Sequence, residues 1–277
     1  MKLTHWFSAV SIVKCQVLIV TMPSYAYIYD AELAHPRHRQ ELNRLETRLT
    51  DIGLHGNIHR LTALKSIEEL VEEECAQETK TIVAVGSDAT FHDLISVEAA
   101  RGIVVGYIPF SSLANQSILA PMLNMHNQEE AYIALSQRYI VTLPMNNLNN
   151  KQFTFEATCE LPSTTLIHID DNYTILPITK HQRLHITQQP LLDNTTPLLK
   201  ILLVAGRSEK DETVVYTKKA VVESPTPLLF YLDGSVAYKA ALAQFNATTA
   251  SIRCIAGRSR ITQTPSSSTI TRLANNR

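Results

Sequence analysis

The chain has 277 residues, of which 45% are hydrophobic and 18% charged, and its formal net charge is −1. This length suits one large domain or two modest ones, and the charge gives no support to a nucleic-acid-binding protein, which would normally carry a basic surface. The four cysteines lie far apart and lack CxxC spacing, which argues against a zinc or disulfide framework and favours a reduced, cytoplasmic protein.

The first 23 residues are largely apolar, but Lys14 divides the run. The segment therefore has neither the unbroken core of a signal peptide nor the about 20 clean apolar residues of a membrane helix. We interpret residues 1–23 as an N-terminal extension, with Met22 as an alternative start of the native protein. A weak membrane-associating segment is the alternative interpretation.

From residue 24 to residue 143, apolar strand patterns alternate with amphipathic helical patterns. The predicted strands cover residues 25–29, 57–61, 81–86, 103–108 and 138–143. The predicted helices cover residues 36–52, a segment that starts after Ser66, and residues 88–100, 115–125 and 128–137. Ser66 and Glu69 form a capping box for the second helix, and Glu72, Glu73 and Glu74 are predicted to form its solvated face. This alternation predicts an α/β domain with a doubly wound parallel sheet and a ligand site at the carboxyl ends of its strands.

After Leu143 the sequence changes to short, threonine-rich segments punctuated by proline. The candidate strands there are residues 152–161, 164–169, 173–177, 183–187, 198–205, 213–222, 228–232 and 250–256. Because no long helical pattern intervenes, residues 144–261 are predicted to form a β-sandwich domain. The tail at residues 262–277 is rich in Ser, Thr and Asn and is predicted to be disordered.

The segment Gly86-Ser87-Asp88-Ala89-Thr90 joins the third predicted strand to the helix after it. A strand that ends in a glycine turn at a helix N-terminus is a natural phosphate site, because free backbone N–H groups and the helix dipole converge there. Asp88 is then placed to hold a metal–phosphate group or to accept a hydroxyl proton. Taken alone, Asp88 is better explained as a turn residue or helix N-cap, and His92 as an exposed helix residue.

Three segments resemble the blocks of one known family. Gly86-Ser87-Asp88-Ala89-Thr90 matches a Gly-Gly-Asp-Gly-Thr turn, and Pro109-Phe110-Ser111-Ser112-Leu113-Ala114-Asn115 matches Pro-x-Gly-Thr-x-Asn-Asp. Asp233-Gly234-Ser235 matches a late Asp-Gly-Glu. With this order and spacing, the chain resembles the diacylglycerol kinase catalytic-domain family over residues 24–260, as a divergent bacterial member. These lipid kinases share a fold with NAD kinases and sphingosine kinases.

The resemblance implies ATP and Mg²⁺ as cofactors and assigns roles to the matching residues. Asp88 would be the catalytic residue and a magnesium ligand. The residues implied to bind nucleotide or phosphate are Gly86, Ser87, Thr90, Ser112 and Asn115. Asp233, Gly234 and Ser235 form the late motif. The implied domains are an N-terminal nucleotide-binding domain at residues 24–143 and the β-sandwich domain at residues 144–261.

The chain departs from the family where the chemistry takes place. Ser87 and Ala89 replace glycines that would allow positive φ and a close approach of phosphate. The second block keeps a hydroxyl at Ser112 and an amide at Asn115, but it lacks both glycines and the Asn-Asp pair. Ser235 replaces a glutamate that would serve as a general base or in a metal network, and loss of a general base costs roughly 10²- to 10⁴-fold in rate.

Three hypotheses follow for the function. The first is ATP- and Mg²⁺-dependent phosphoryl transfer to a lipid hydroxyl, on a diacylglycerol-like substrate. The alternative is a catalytically impaired relative that binds nucleotide or lipid without turnover. An NAD kinase ranks lowest, because the Asn-Glu pair that holds the ribose in those enzymes occurs nowhere in the chain. The predicted partners are a nucleotide and a lipid at a membrane surface, with no nucleic acid; a homodimer and peripheral membrane association of a cytoplasmic protein remain open alternatives.

Overall fold

The computed structural model describes residues 25–98, 102–110, 117–177, 182–188, 197–205, 212–234 and 236–258. The predicted N-terminal extension and the predicted disordered tail lie outside these ranges. Within them, no helix is both long and apolar enough to cross a membrane.

The described residues form an α/β sheet and a separate antiparallel sheet. The helices are α1 (Arg39–Asp51), α2 (Ile67–Ala76), α3 (Asp88–Glu98), α4 (Leu119–Met122) and α5 (Gln128–Gln137), with 3-10 turns at Ala31–Ala34 and Pro36–His38. The strands are β1 (Tyr25–Tyr29), β2 (Gly56–Arg60), β3 (Thr81–Gly86), β4 (Val104–Pro109), β5 (Ile140–Pro144), β6 (Asn146–Leu148), β7 (Lys151–Phe153), β8 (Ala157–Leu161), β9 (Leu166–Ile169), β10 (Tyr173–Ile175), β11 (Gln182–Gln188), β12 (Leu199–Ala205), β13 (Glu212–Thr217), β14 (Lys219–Leu232), β15 (Val236–Asn246) and β16 (Ser251–Ile255).

The first sheet has the strand order β2-β1-β3-β4-β16-β5, in which β5 alone runs antiparallel to its neighbour. Strands β1, β3 and β4 are buried along their whole length, as expected for continuous apolar strands covered on both faces. The capping box of Ser66 and Glu69 starts α2, as predicted. Because β1, β3 and β4 are adjacent and parallel, the residues that follow them meet at one edge of the sheet.

The second sheet has ten antiparallel strands and branches at β14, which pairs with β8, β9 and β15. Strand β11 alternates buried and outward residues, so one face of the sheet packs onto an apolar core. Phe230 and Phe153 both pack edge-on against Phe245 in that core. The prediction of an α/β sheet followed by an antiparallel β region is confirmed.

The structure corrects several predicted strands. The bounds of the predicted strands 213–222 and 228–232 are wrong. The break between strands falls at Lys218. Strand β14 then continues through Pro225 and Pro227, where its register with β15 shifts. Strand β15 was not predicted, because its alanine-rich sequence lacks a regular apolar alternation. Residues 250–256 were expected in the β domain, but β16 returns to the first sheet between β4 and β5. A local pattern cannot reveal such a return.

The predicted solvated face of α2 is wrong for Glu74. Its side chain is fully buried and accepts hydrogen bonds from Thr79 Oγ1 at 2.5 Å and Asn57 Nδ2 at 3.1 Å, and it lies 2.5 Å from His59 Nε2. Burial acts to raise the pKa of Glu74, but the bonds from Thr79, His59 and Asn57 outweigh it and lower the pKa. Glu74 therefore ties the edge strand β2 to α2.

Candidate functional site at the carboxyl edge of the parallel sheet

Gly86 ends β3 at the edge where the ligand site was predicted. Its φ is +148°, and a Cβ added there would lie 2.4 Å from Cβ of Asp30, the residue that follows β1. Such a contact is far too short for any side chain, so glycine at position 86 is needed to let Asp30 approach. Backbone bonds hold the three strand ends together, from Asp30 N–H to Val85 O and from Phe110 N–H to Gly86 O.

The Asp30 carboxylate accepts the hydroxyl hydrogen bonds of the predicted phosphate turn. Ser87 Oγ donates to Oδ2 at 2.6 Å and Thr90 Oγ1 donates to Oδ2 at 2.7 Å, while Glu32 N–H donates to Oδ1 at 2.9 Å. Ser87 N–H adds a longer bond of 3.4 Å to Oδ2. Burial acts to raise the pKa of Asp30, but these donors outweigh it and leave the pKa below its ordinary value.

Asp30 thus places a negative charge beside the N-terminus of α3, where a bound phosphate was predicted. A carboxylate is a favourable partner for a helix N-terminus for the same electrostatic reason as a phosphate. Sequence reasoning did not single out Asp30 as a site residue. The available signal was an aspartate directly after the first buried strand, in a strand order that makes β1 and β3 neighbours.

Asp88 is half-buried and joins α3 to the segment that enters α4. Its Oδ1 accepts from Ser117 Oγ at 2.6 Å and from Tyr107 Oη at 2.8 Å, and its Oδ2 accepts from the N–H groups of Ile118 at 2.7 Å and Leu119 at 3.3 Å. Burial, followed by the Asp88 charge, raises the pKa of Tyr107, so that phenol remains a donor at neutral pH. Ser87, not Asp88, accepts the capping bond from Thr90 N–H, at 3.4 Å.

Asp233 is fully buried and joins the antiparallel sheet to α3. Its carboxylate accepts from the N–H groups of Thr154 at 2.9 Å, Phe155 at 2.7 Å and Glu156 at 3.0 Å. These bonds shape the turn that divides the predicted strand 152–161 into β7 and β8. His92 Nδ1 lies 3.2 Å from Asp233 Oδ2, and His92 is 4% exposed, so the expectation of an exposed helix residue is wrong.

Gly234 brings the late motif beside the partner of Asp88. Its φ is +71°, and an added Cβ would lie 2.6 Å from Cδ1 of Ile118, whose N–H binds Asp88. Asp88 and His92 are one helical turn apart on α3, so the first and third motifs meet through α3 and Ile118. The predicted residues Ser112, Asn115 and Ser235 lie outside the described residues.

This edge does not fit a magnesium–nucleotide site in the arrangement described. Both carboxylate oxygens of Asp30, Asp88 and Asp233 accept hydrogen bonds from donors of the protein itself. The hydroxyls of Ser87 and Thr90 face Asp30, whose charge would repel a phosphate. Over the described part of the chain, no group of three or more His, Cys, Asp or Glu side chains is arranged to hold a metal ion.

Comparison with known proteins identifies the fold. No protein-family model and no curated protein matches the sequence. Among solved structures, the chain is similar to a diacylglycerol kinase from Bacillus anthracis str. Sterne, with a TM-score of 0.62, 13% identity, and coverage of 85% of this chain and 97% of that one. It is also similar to an NAD kinase from Archaeoglobus fulgidus in complex with ATP, with a TM-score of 0.50, 11% identity, and coverage of 85% and 94%. The chain therefore has the fold shared by diacylglycerol kinases and NAD kinases, as the three motifs implied.

Proposed function

We propose that this protein is a catalytically impaired relative of the lipid kinases, which binds its ligand without transferring a phosphoryl group. The main evidence is that the Asp30 carboxylate accepts hydrogen bonds from the hydroxyls of Ser87 and Thr90 at the N-terminus of α3. Phosphoryl transfer depends on positioning and charge stabilisation of phosphate, and a fixed negative charge at this point opposes both.

The same charge bears on the choice between the two ligands. A nucleotide brings phosphates toward Asp30, so its binding at the turn is opposed by repulsion. A diacylglycerol-like lipid is uncharged, and its hydroxyl can donate to Asp30 Oδ1, which accepts a single hydrogen bond from the described residues, that of Glu32 N–H. We therefore favour a lipid alcohol over a nucleotide as the bound ligand, and with it a protein that associates peripherally with a membrane surface.

The environment of Asp88 supports a loss of turnover. A general base must lie within hydrogen-bond reach of the proton that it accepts. Asp88 faces Tyr107, Ser117 and Ile118 instead, and it would have to release two or more of these bonds to face a substrate. A kinase remains the second candidate because Asp88 is only half-buried and Asp and Thr are both retained in the turn.

A direct test is an assay of the purified full chain with ATP, Mg²⁺ and diacylglycerol in mixed micelles, beside the Bacillus anthracis diacylglycerol kinase as a positive control. We expect no phosphorylated lipid from the wild type above the level of its Asp88→Asn variant. Titration calorimetry with a short-chain diacylglycerol and with ATP is expected to give binding of the lipid and none of ATP at the turn. Turnover that depends on Asp88 would establish the kinase instead, and absence of lipid binding would refute the ligand.

A further inference from the structure

A groove between α1 and α5 is a second polar site, separate from the residues of the sheet edge. It encloses about 570 Å³, within the roughly 300–1,000 Å³ common for small-molecule pockets. Its residues come from the 3-10 turn before α1, from the arginine-rich face of α1 and from the first turns of α5. They are Arg37, Gln40, Glu41, Arg44, Leu45, Arg48, Gln128, Glu129 and Tyr132.

Several hydrogen-bond donors in this groove lack acceptors. Gln128 Nε2 is buried and has no hydrogen-bond partner among the described residues, and a buried amide donor without an acceptor is unfavourable. The exposed Arg44 guanidinium forms no hydrogen bond or ion pair with another described residue. Burial, followed by Glu129 and Glu41, raises the pKa of Tyr132, so its hydroxyl stays protonated at neutral pH and is a further donor.

The acidic residues of the groove are already engaged. Glu129 forms an ion pair with Arg48, and Glu41 also has an interaction partner. Arg37 directs its Nε to His38 Nε2 at 2.8 Å, which leaves its terminal guanidinium nitrogens for other acceptors. The three arginines outnumber the two glutamates, so the groove as a whole is positively charged.

We infer that the groove between α1 and α5 binds a small oxyanion, namely a phosphate group carried by a soluble metabolite or by a lipid headgroup. Only an acceptor can satisfy Gln128 Nε2, Arg44 and the Tyr132 hydroxyl together, and an anion is favoured because Arg44 is charged. The planar guanidinium of arginine suits two oxygens of one phosphate. Leu45 and the Tyr132 ring provide apolar surface for the group that carries the phosphate.

This site is separate from the turn of the proposed function. Arg44 and Gln128 lie on α1 and α5, and neither contributes to the hydrogen bonds of Asp30, Asp88 or Asp233. Loss of lipid binding at the turn and loss of phosphate binding in the groove can therefore be measured independently.

The test uses the full chain at low ionic strength, with inorganic phosphate as the calorimetric probe and with co-sedimentation on phosphatidylglycerol vesicles as the second arm. Arg44→Gln removes one positive charge, and Gln128→Leu removes one hydrogen-bond donor. Arg39→Gln is the matched control, since Arg39 is an exposed arginine of α1 outside the groove. Unchanged circular dichroism verifies the fold of each variant.

We expect phosphate to bind the wild type, with affinity reduced roughly tenfold to a hundredfold by Arg44→Gln and by a smaller factor by Gln128→Leu, and unchanged by Arg39→Gln. If the protein also binds vesicles and this binding requires Arg44, the phosphate belongs to a lipid headgroup. If the protein binds inorganic phosphate but not vesicles, the ligand is a soluble metabolite. The inference is overturned if neither probe binds the wild type, or if Arg44→Gln and Arg39→Gln behave alike.

Discussion

The carboxyl edge of the parallel sheet and the groove between α1 and α5 differ in whether their hydrogen-bond donors have acceptors. At the edge, Asp30, Asp88 and Asp233 accept hydrogen bonds from hydroxyl and backbone N–H groups in and around the three matched motifs. In the groove, Gln128 Nε2 has no acceptor and Arg44 has no partner among the described residues. The matched motifs thus lie where the donors already have acceptors, whereas the donors without acceptors lie where no motif was matched.

A residue that matches a motif can therefore have a structural role in place of a ligand-binding one. A carboxylate that accepts several protein donors stabilises the fold, because breaking those bonds leaves buried groups without partners. A donor without an acceptor gains by binding a ligand. The local hydrogen-bond balance therefore bears on the role of a motif residue as much as its identity does.

The largest expected effect is on Asp233. Asp233→Ala removes the acceptor of three backbone N–H groups and the partner of His92, and we expect the free energy of unfolding to fall by about 3–5 kcal/mol. Asp171→Ala is the control, because it too has a positive φ, but its side chain is 76% exposed. A urea titration measures both, and equal losses would show that the buried carboxylate contributes nothing beyond its backbone conformation.

A second prediction concerns the negative charge of Asp30 at the carboxyl edge of the parallel sheet. Asp30→Asn removes the negative charge beside the N-terminus of α3, and we expect stability to fall by about 1–2 kcal/mol while ATP binding at the turn becomes measurable. Calorimetry in an Arg44→Gln background separates this gain from any binding in the groove. Asp51→Asn, an exposed carboxylate of α1, is the charge-matched control. Unaltered ATP binding in Asp30→Asn would mean that Asp30 does not keep phosphate from the turn.

The lowered pKa of Asp30 predicts a dependence of stability on pH. Because the folded pKa lies below the unfolded value of about 3.9, the ionised carboxylate stabilises the protein above that value, and the benefit is lost as pH falls through the folded pKa. The stability difference between wild type and Asp30→Asn should therefore be constant near neutral pH and shrink below about pH 4. Urea titrations at a series of pH values measure it, and a difference that grows on acidification would contradict the assignment.

The smallest expected effect on stability concerns Glu129. Its ion pair with Arg48 is exposed on both sides, so we expect Glu129→Gln to leave the unfolding midpoint unchanged. The same variant frees Arg48 for a ligand, and phosphate affinity in the groove should rise by a factor of about three. Calorimetry on Glu129→Gln and on the double variant with Arg44→Gln measures this. Weaker phosphate binding in Glu129→Gln would contradict the positive role given to Arg48.

The sequence by itself determined the α/β sheet, the antiparallel region after it, the capped start of α2 and the turn at Gly86. These features arise from apolar periodicity, capping residues and glycine, which act within a few residues of one another. Only the tertiary structure decided that β16 returns to the first sheet, that Glu74 and His92 are buried, and that Asp30 reaches Ser87 and Thr90. These features depend on partners outside the local segment: Asp30 and Thr90 are 60 residues apart, and Glu74 and Asn57 are 17 residues apart. Hydrogen bonds of that kind leave no local pattern in the sequence.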